Sequence, residues 1–336
     1  MFNKLYEKVL QYIKENIMII IFFLCLLMLI QIKLPYYIYS PGGLINVSER
    51  INIEDSYPID GSLNLAYVLE FKSTIPTILY ALVNPNWDIY KKEEVVSSNE
   101  TVEEILFRDK LMLEEANQNA LYVGFTKANK KVEIKDEKVY VGYVDVEAKT
   151  DLKIGDQIIK VNDYEVLNKE NLYDIILNFK EGDKLKLTVI NNDKTYTREA
   201  TLQKIDDRVI IGIVLIETKE VITPNKTNIT FKKSESGPSG GFMMALAIYD
   251  YLTEYDLTKG LNIVGTGTID MNGNVGSIGG VEYKIKAAVR EETDIFFVPI
   301  DNYEEALEVV KENKFDIELV SVGNIDEAIE YLKSVN

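Results

Sequence analysis

The sequence predicts a multidomain α/β protein with an N-terminal transmembrane helix, a small β-rich domain in the middle and an α/β domain at the C-terminal end. Three observations lead there. Ile17–Ile30 is an unbroken apolar run of 14 residues near the start of a 336-residue chain. Around residue 131 the apolar spacing changes from a helical period to alternation. From residue 208 onward, short apolar strands alternate with helical stretches.

The apolar run reaches 18 residues when Ile32 and Leu34 are counted with it, across Gln31 and Lys33. Fourteen suits a signal-peptide core, and 18 just suffices for a spanning helix. No small-residue cleavage site follows, so residues 1–35 are expected to be a cytoplasmic stub and an uncleaved transmembrane signal anchor. Tyr36, Tyr37 and Tyr39 are placed to sit at the headgroup level. Lys4, Lys8 and Lys14, offset in part by Glu7 and Glu15, favour a cytoplasmic N-terminus with the body outside. A buried core helix is the alternative.

The net charge of −17 falls almost entirely after this run. Such a body repels phosphate backbones, and nucleic acid is not an expected partner. The single cysteine, Cys25, lies in the apolar run, so the rest of the chain has neither disulfides nor thiolate metal sites. There is no histidine at all. That excludes Ser-His-Asp triads, Cys-His dyads and histidine-ligated zinc. A hydrolase of this composition must use Asp/Glu, Tyr, a neutral Lys or an oxygen-ligated metal.

Ser40-Pro41-Gly42-Gly43 breaks any helix and opens a connecting region, residues 36–127. Within it, residues 44–72 alternate as a strand does. Residues 101–128 carry Ile105, Met112, Ala116, Ala120 and Val123 near one face of a long helix, which Thr101 and Glu104 open as a capping box. The region is expected to pack beside the β-rich domain, and no function is argued for it.

The β-rich domain spans residues 128–205. Its strands include Val139–Val141, Val144–Val146 and Lys184–Ile190, with a helix at Lys169–Phe179 and a hairpin turn at Asn191-Asn192-Asp193. Between them stands Leu152-Lys153-Ile154-Gly155-Asp156-Gln157-Ile158-Ile159-Lys160-Val161-Asn162-Asp163. This order, with the Leu-x-x-Gly-Asp-x-Ile-x-x-Val-Asn segment, resembles a PDZ domain. The resemblance implies a groove that takes an extended peptide as an added strand. The Gly-Leu-Gly-Phe-like carboxylate loop of that family is not evident, and Val139, Tyr140, Val141, Gly142 and Tyr143 are the candidate for it. The alternative is a spacer that orients its neighbour.

The α/β domain spans residues 208–336. Its strands are expected at Val209–Leu215, Asn228–Phe231, Ile263–Ile269, Ile295–Val298 and Ile317–Val320, and its helices at Ser239–Thr253, Val281–Glu291, Asn302–Glu312 and Ile325–Leu332. Ser236-Gly237-Pro238-Ser239-Gly240-Gly241 stands directly before a helix that is apolar nearly all round, and hence buried. The glycines let a substrate backbone approach closely. The helix start offers free N–H groups to a developing oxyanion, with Gly237 and Gly240 as candidate backbone contacts. The alternative is that Ser239 merely caps the helix.

A second segment runs from Gly265-Thr266-Gly267 through Gly279-Gly280 into Val281–Ala288. On a helix, Lys284 shares a face with Val281, Ala287 and Ala288, whereas Lys286 lies four residues from both Glu282 and Arg290. Lys284 is therefore expected to point inward, where burial lowers a lysine's pKa, and Lys286 toward water. Without histidine, a neutral Lys284 is the base of choice for Ser239. Snorkelling of Lys284 to the surface is the alternative.

Together the two segments resemble the proteolytic domain of Lon-type Ser-Lys proteases. Gly237–Gly241 matches the family's Gly-Pro-Ser-Ala/Gly-Gly, which implies Ser239 as nucleophile. Thr266–Ala288 matches Thr-Gly-x-Ile…Ile-Gly-Gly-x-x-x-Lys-x-x-Ala-Ala, which implies Lys284 as the dyad lysine and Thr266 as a hydrogen-bonding neighbour. Gly240 stands where alanine is common, and Thr268 where an acidic residue often follows. No Gly-x-x-x-x-Gly-Lys-Ser/Thr loop is present. The order of anchor, PDZ and Lon-type domains resembles the bacterial membrane-anchored PDZ–Lon proteases, in which Tyr36–Gly42 also finds its counterpart. That resemblance implies an ATP-independent endopeptidase that acts outside the membrane on peptides or secreted proteins. It implies no metal, cofactor or nucleotide, and leaves a homo-oligomer open. Two other readings stand beside it: a non-catalytic PDZ scaffold, and a phosphate-binding enzyme, which the missing Walker loop disfavours.

Overall fold

The computed structural model of the chain describes residues 2–96 and 100–335, with side chains from Leu5 onward. The side chain of Lys4, one of the expected flanking charges, lies outside the described residues, as do Ser97–Asn99 of the connecting region. The chain divides into two compact units. One comprises Met1–Pro41 with Val68–Ser98, and the other Gly42–Tyr67 with Asn99–Asn336.

In the first unit the apolar run forms the helix Ile17–Gln31, preceded by the helix Phe2–Glu15. The two are bent against each other by 73°. Among the described residues no single helix is long and apolar enough to cross a membrane, although the bent pair passes by length and composition. The expected spanning segment, Ile17 to Leu34, starts where expected, after a break at Asn16 whose side-chain amide bonds back to the Tyr12 carbonyl, but its helix stops at Gln31. Lys33 already begins the strand Lys33–Asn46. The apolar helix has no buried residue, which removes the core-helix alternative. Tyr36–Tyr39 pair antiparallel with Asp88–Lys91. Between Ser62–Thr74 and Asp88–Lys91 lies the short helix Ile75–Ala81, whose Thr74 and Thr77 form a capping box.

The second unit holds a set of parallel strands, the sheet of the β-rich domain and the candidate functional residues. Ser62–Leu65, Asn262–Gly265, Ile295–Pro299 and Glu318–Val322 form parallel strands, with Leu63 opposite Ile263, Ile263 opposite Ile295 and Phe296 opposite Leu319. Parallel strands buried on both faces read as continuous apolar runs, as Ile295–Pro299 does, with every residue buried. The helix Gly241–Tyr251 sits in the main core. Phe242 to Ile248 are all at most 1% exposed, packed with Leu63, Leu65, Ala120, Val123 and Phe125.

This packing adds to the expected placement of the connecting region. The long helix Val102–Lys127 has the expected capping box, with Glu104 N–H donating to Thr101 Oγ1 and Thr101 N–H to Glu104 Oε2. Its apolar face lies in the core of the C-terminal domain, against Gly241–Tyr251, and Leu63 and Leu65 join the same core. The long helix completes the α/β body and also, as expected, packs beside the β-rich domain's sheet, where the Val221 N–H donates to Gln118 Oε1 at 2.8 Å.

The β-rich domain has a core of its own, around Val139, Val141, Ile158, Leu172, Leu187 and Val189. Its sheet contains Glu133–Val144, Gln157–Val161, Lys184–Asn191 and Lys194–Thr201 in that spatial order. The Asn191–Lys194 hairpin turns at Asn192 and Asp193, both at positive φ (48° and 60°), as a tight two-residue turn requires. The strand Ile213–Ile222 extends this sheet beyond Glu133–Val144. It runs seven residues past the expected end at Leu215.

Candidate active site

The segment Ser236–Gly241 is a turn whose geometry is set by three contacts. Gly237 adopts φ +86°, a left-handed conformation that suits glycine. Its N–H donates to the carbonyl of Asp109 on the long helix at 3.0 Å. Gly241 N–H donates to the Pro238 carbonyl at 3.1 Å. The helix starts at Gly241, two residues later than expected, with Gly240 as N-cap and no side-chain cap. Ser239 therefore does not cap the helix. It stands before the cap, half-buried, and its hydroxyl has no hydrogen-bond partner among the described residues.

The backbone carbonyl of Ser239 is held from two sides. Gly267 N–H donates to it at 2.8 Å, and Thr266 Oγ1 at 3.1 Å. Lys284 Nζ in turn donates to Thr266 Oγ1 at 3.0 Å. Ser239, Thr266 and Lys284, far apart in the chain, thus form one hydrogen-bonded chain. Thr266 is fully buried and Lys284 is 3% exposed. The Thr266 proton is committed to Ser239, so Thr266 can only accept from Lys284. The lone pair of a neutral Lys284 is then left unused by Thr266.

Among the described residues Lys284 has no acidic partner, and burial alone pulls its pKa down to about 7. Lys286 is not turned to water as its spacing predicts: its side chain is 11% exposed, and its ammonium pairs with Glu282 Oε1 at 2.5 Å. The helix Val281–Arg290 thus gives one of its two lysines an acidic partner and buries the other without one, and Lys284 does not snorkel.

Two of the expected backbone contacts fare differently. Gly237 N–H is already used by Asp109, so it is not an available oxyanion donor. The N–H groups of Ser239 and Gly240 have no acceptor among the described residues. They stand at the positive end of the Gly241–Tyr251 helix, where an oxyanion is stabilised. A Cβ at Gly240 would meet Leu65 Cδ2 at 3.2 Å, the movable end of a side chain, so the position has room for alanine with a small adjustment.

The long helix supplies parts of the site that the sequence reading missed. Besides the Asp109 carbonyl, Asn119 Nδ2 donates to the Ile269 carbonyl at 3.0 Å, tying the helix to the segment after Thr266. Ala116 stands 3.3 Å from where a Gly241 Cβ would lie. A polar Asn119 on the face marked by Ala116, Ala120 and Val123 was the one available signal.

The candidate peptide site at Val139–Tyr143 is corrected. Val139, Tyr140, Val141, Gly142 and Tyr143 form no loop but lie inside the strand Glu133–Val144. On one side they pair with the chain's own Ile213–Ile222 (Tyr143 with Val214, Val141 with Leu215, Tyr140 with Ile216, Val139 with Glu217). On the other side Val139 pairs with Ile158 and Tyr140 with Gln157. A free edge for an added strand is therefore absent there.

Residues 231–334 match the family model of the Lon protease (S16) C-terminal proteolytic domain, and residues 120–202 that of the PDZ domain. The chain is 33% identical over 78 residues to the Lon protease of Aster yellows witches'-broom phytoplasma (strain AYWB), which is 23% of this chain and 10% of that protein. It thus spans only about a tenth of the length of that relative. The crystal structure of the PDZ domain of an SdrC-like protein from Listeria monocytogenes is 28% identical, covering 23% of this chain and 86% of that one, with a TM-score of 0.22. With Ser239, Thr266 and Lys284 all inside the matched residues 231–334, the chain carries a Lon protease (S16) C-terminal proteolytic domain, preceded by a PDZ domain.

Proposed function

We propose that the chain is a serine endopeptidase that works without ATP, with Ser239 as nucleophile and Lys284 as general base and acid. The observation that carries this reading is the buried, unpaired Lys284, linked through Thr266 to the backbone of Ser239. Neutral Lys284 takes the Ser239 Oγ proton as Oγ attacks the substrate carbonyl carbon. The oxyanion is met by the N–H groups of Ser239 and Gly240. As the C–N bond breaks, the Lys284 ammonium passes its proton to the leaving amine, leaving an acyl-enzyme. Lys284 then takes a proton from the attacking water and returns one to Ser239 as the acyl bond is hydrolysed.

The exposed apolar helix Ile17–Gln31 supports attachment to a cell membrane, with the N-terminus cytoplasmic and the acidic body outside, acting on peptides or secreted proteins. At about 1.5 Å per residue it rises about 22 Å, so the anchor needs the flanking residues or a thinned bilayer to cross. The PDZ domain is better suited to orienting or gating substrate than to recruiting it at Val139–Tyr143, since that edge is filled. A purely non-catalytic scaffold does not account for a costly buried lysine beside a serine turn.

The test uses the full chain in detergent, incubated with an unfolded protein substrate and no nucleotide, beside Ser239→Ala and Lys284→Ala. Cleavage by the parent and loss in both variants is expected. Equal cleavage by all three sinks the dyad, and a requirement for ATP sinks the stand-alone reading.

A further inference from the structure

We infer that the apolar segment from Ile75 to Val83 is a second contact with the lipid bilayer, beside the N-terminal helix. This inference rests on the proposed membrane attachment of Ile17–Gln31 and goes beyond it.

The segment begins with the capped helix Ile75–Ala81 and continues through Leu82 and Val83. From Ser73 to Trp87 the sequence has no charged residue, in a chain that is 27% charged. The helix is apolar on more than the side it buries. Ala81 faces inward at 7% exposure, and Ile75 and Ile78 are half-buried. Leu79, Tyr80, Leu82 and Val83 are left at 61%, 51%, 70% and 78% exposure. Four large apolar side chains in five consecutive positions form a contiguous patch, the kind of surface that marks an interaction site.

Two observations point to lipid as the occupant. First, this helix lies against Ile17–Gln31, in which every side chain is apolar except the terminal Gln31 and none is buried. A solvent that suits one apolar surface suits its neighbour. Second, Ile17–Gln31 falls short of the roughly 30 Å hydrocarbon thickness, and an adjacent apolar segment extends the greasy surface at that boundary. The segment is also held rigidly rather than loosely. Trp87 packs edge-on against Tyr80 at 4.6 Å and against Phe71 at 5.5 Å. Aromatic side chains of this kind are at home where hydrocarbon meets headgroups.

The sequence contains one tryptophan, so a single-probe experiment needs two substitutions. The full chain carrying Trp87→Phe and Leu82→Trp is reconstituted into vesicles of phosphatidylcholine and phosphatidylglycerol, with plain or brominated acyl chains. A chain carrying Trp87→Phe and Tyr164→Trp, with its probe on the PDZ domain, serves as control; Tyr164 is 57% exposed. Flotation reports attachment. The inference expects flotation of both proteins, with a blue-shifted emission quenched by bromine at position 82 and neither effect at 164. Flotation without quenching at 82 overturns it and leaves the anchor standing. A blue shift at 82 that bromine does not quench means burial against protein, and also overturns it. If neither protein floats, the anchor itself fails, and this inference with it.

Discussion

At the residue scale the proposed chemistry turns on one ammonium group. Lys284 loses its proton near pH 7 because burial disfavours the charge, so cleavage should rise with pH through about 7 and then level off. A rate that stays flat from acid to alkaline pH argues against lysine as the base. Lys284→Arg keeps the charge permanently, and should lower kcat by about 10²–10⁴-fold. Thr266→Val removes a hydroxyl that serves both Lys284 and Ser239. It should cost about 1–3 kcal/mol of stability and reduce cleavage, while Thr266→Ser restores both. Because desolvation sets the Lys284 pKa, the midpoint of the pH profile in Thr266→Val should stay at 7 or move lower. A midpoint shifted upward would contradict that cause. The turn at Ser239 and the burial of Lys284 were legible in the sequence because both signals are local: a glycine-flanked turn before an apolar helix, and a spacing that puts Lys284 on the face of Val281, Ala287 and Ala288. Asp109 and Asn119 were not, because their partners Gly237 and Ile269 lie more than a hundred residues away and no periodicity encodes them.

At the scale of elements, the helix that follows Ser239 is positioned by close approach. A Cβ at Gly241 would lie 2.9 Å from Ile269 Cγ2 and 3.3 Å from Ala116 Cβ, both on packed elements. Gly241→Ala should therefore cost about 1–3 kcal/mol by overpacking and lower cleavage by displacing the turn that holds Ser239. A thermal midpoint equal to the parent's would show that the two neighbours yield freely. The PDZ sheet makes a different prediction. With Ile213–Ile222 paired along it, the amide group of Tyr143 should exchange as slowly with deuterium as that of Val141, which donates to the Asp156 carbonyl on the other side of the strand. Rapid exchange there would reopen the edge as a peptide site. The sequence could not reveal this pairing. The alternation of Val139–Tyr143 fits a strand, but which strand lies next to it is a tertiary fact, and Ile213–Ile222 was read only as far as Leu215. The break between Asn262–Gly265 and Thr268–Ile269 escaped for a related reason: Thr266 and Gly267 leave the sheet to hold the Ser239 carbonyl, which alternation alone does not forecast.

At the scale of the whole molecule, the order of an apolar segment, a β-rich domain and an α/β domain was readable from changes of period along the chain. The role of residues 44–67 and of the long helix was not. They precede the PDZ domain in sequence yet complete the core around Phe242–Ile248, and a linear reading assigns a segment to its neighbour. That core also holds a second misplaced charge. Asp250, at the far end of the Gly241–Tyr251 helix, is 1% exposed. Its Oδ1 accepts the Leu257 N–H at 2.8 Å, and its Oδ2 has no partner among the described residues. Burial raises its pKa from 3.8 to about 7. Between those values the folded state binds the proton more tightly than the unfolded chain, so stability falls as pH rises. Lys284 has the opposite sign. Its pKa falls from 10.5 to about 7, the unfolded chain holds more protons between those values, and stability rises with pH there. Each limb amounts to about 4–5 kcal/mol at order of magnitude. Their sum is a stability minimum near pH 7, where Asp250 and Lys284 are each half-charged. Asp250→Asn should flatten the acid limb, and Lys284→Met the alkaline one. The urea midpoint of the step that exposes the Gly241–Tyr251 amides, followed from pH 4 to pH 10, reads both limbs. A parent curve that peaks at neutrality, with both variants parallel to it, would mean that neither buried charge governs the stability of the catalytic core.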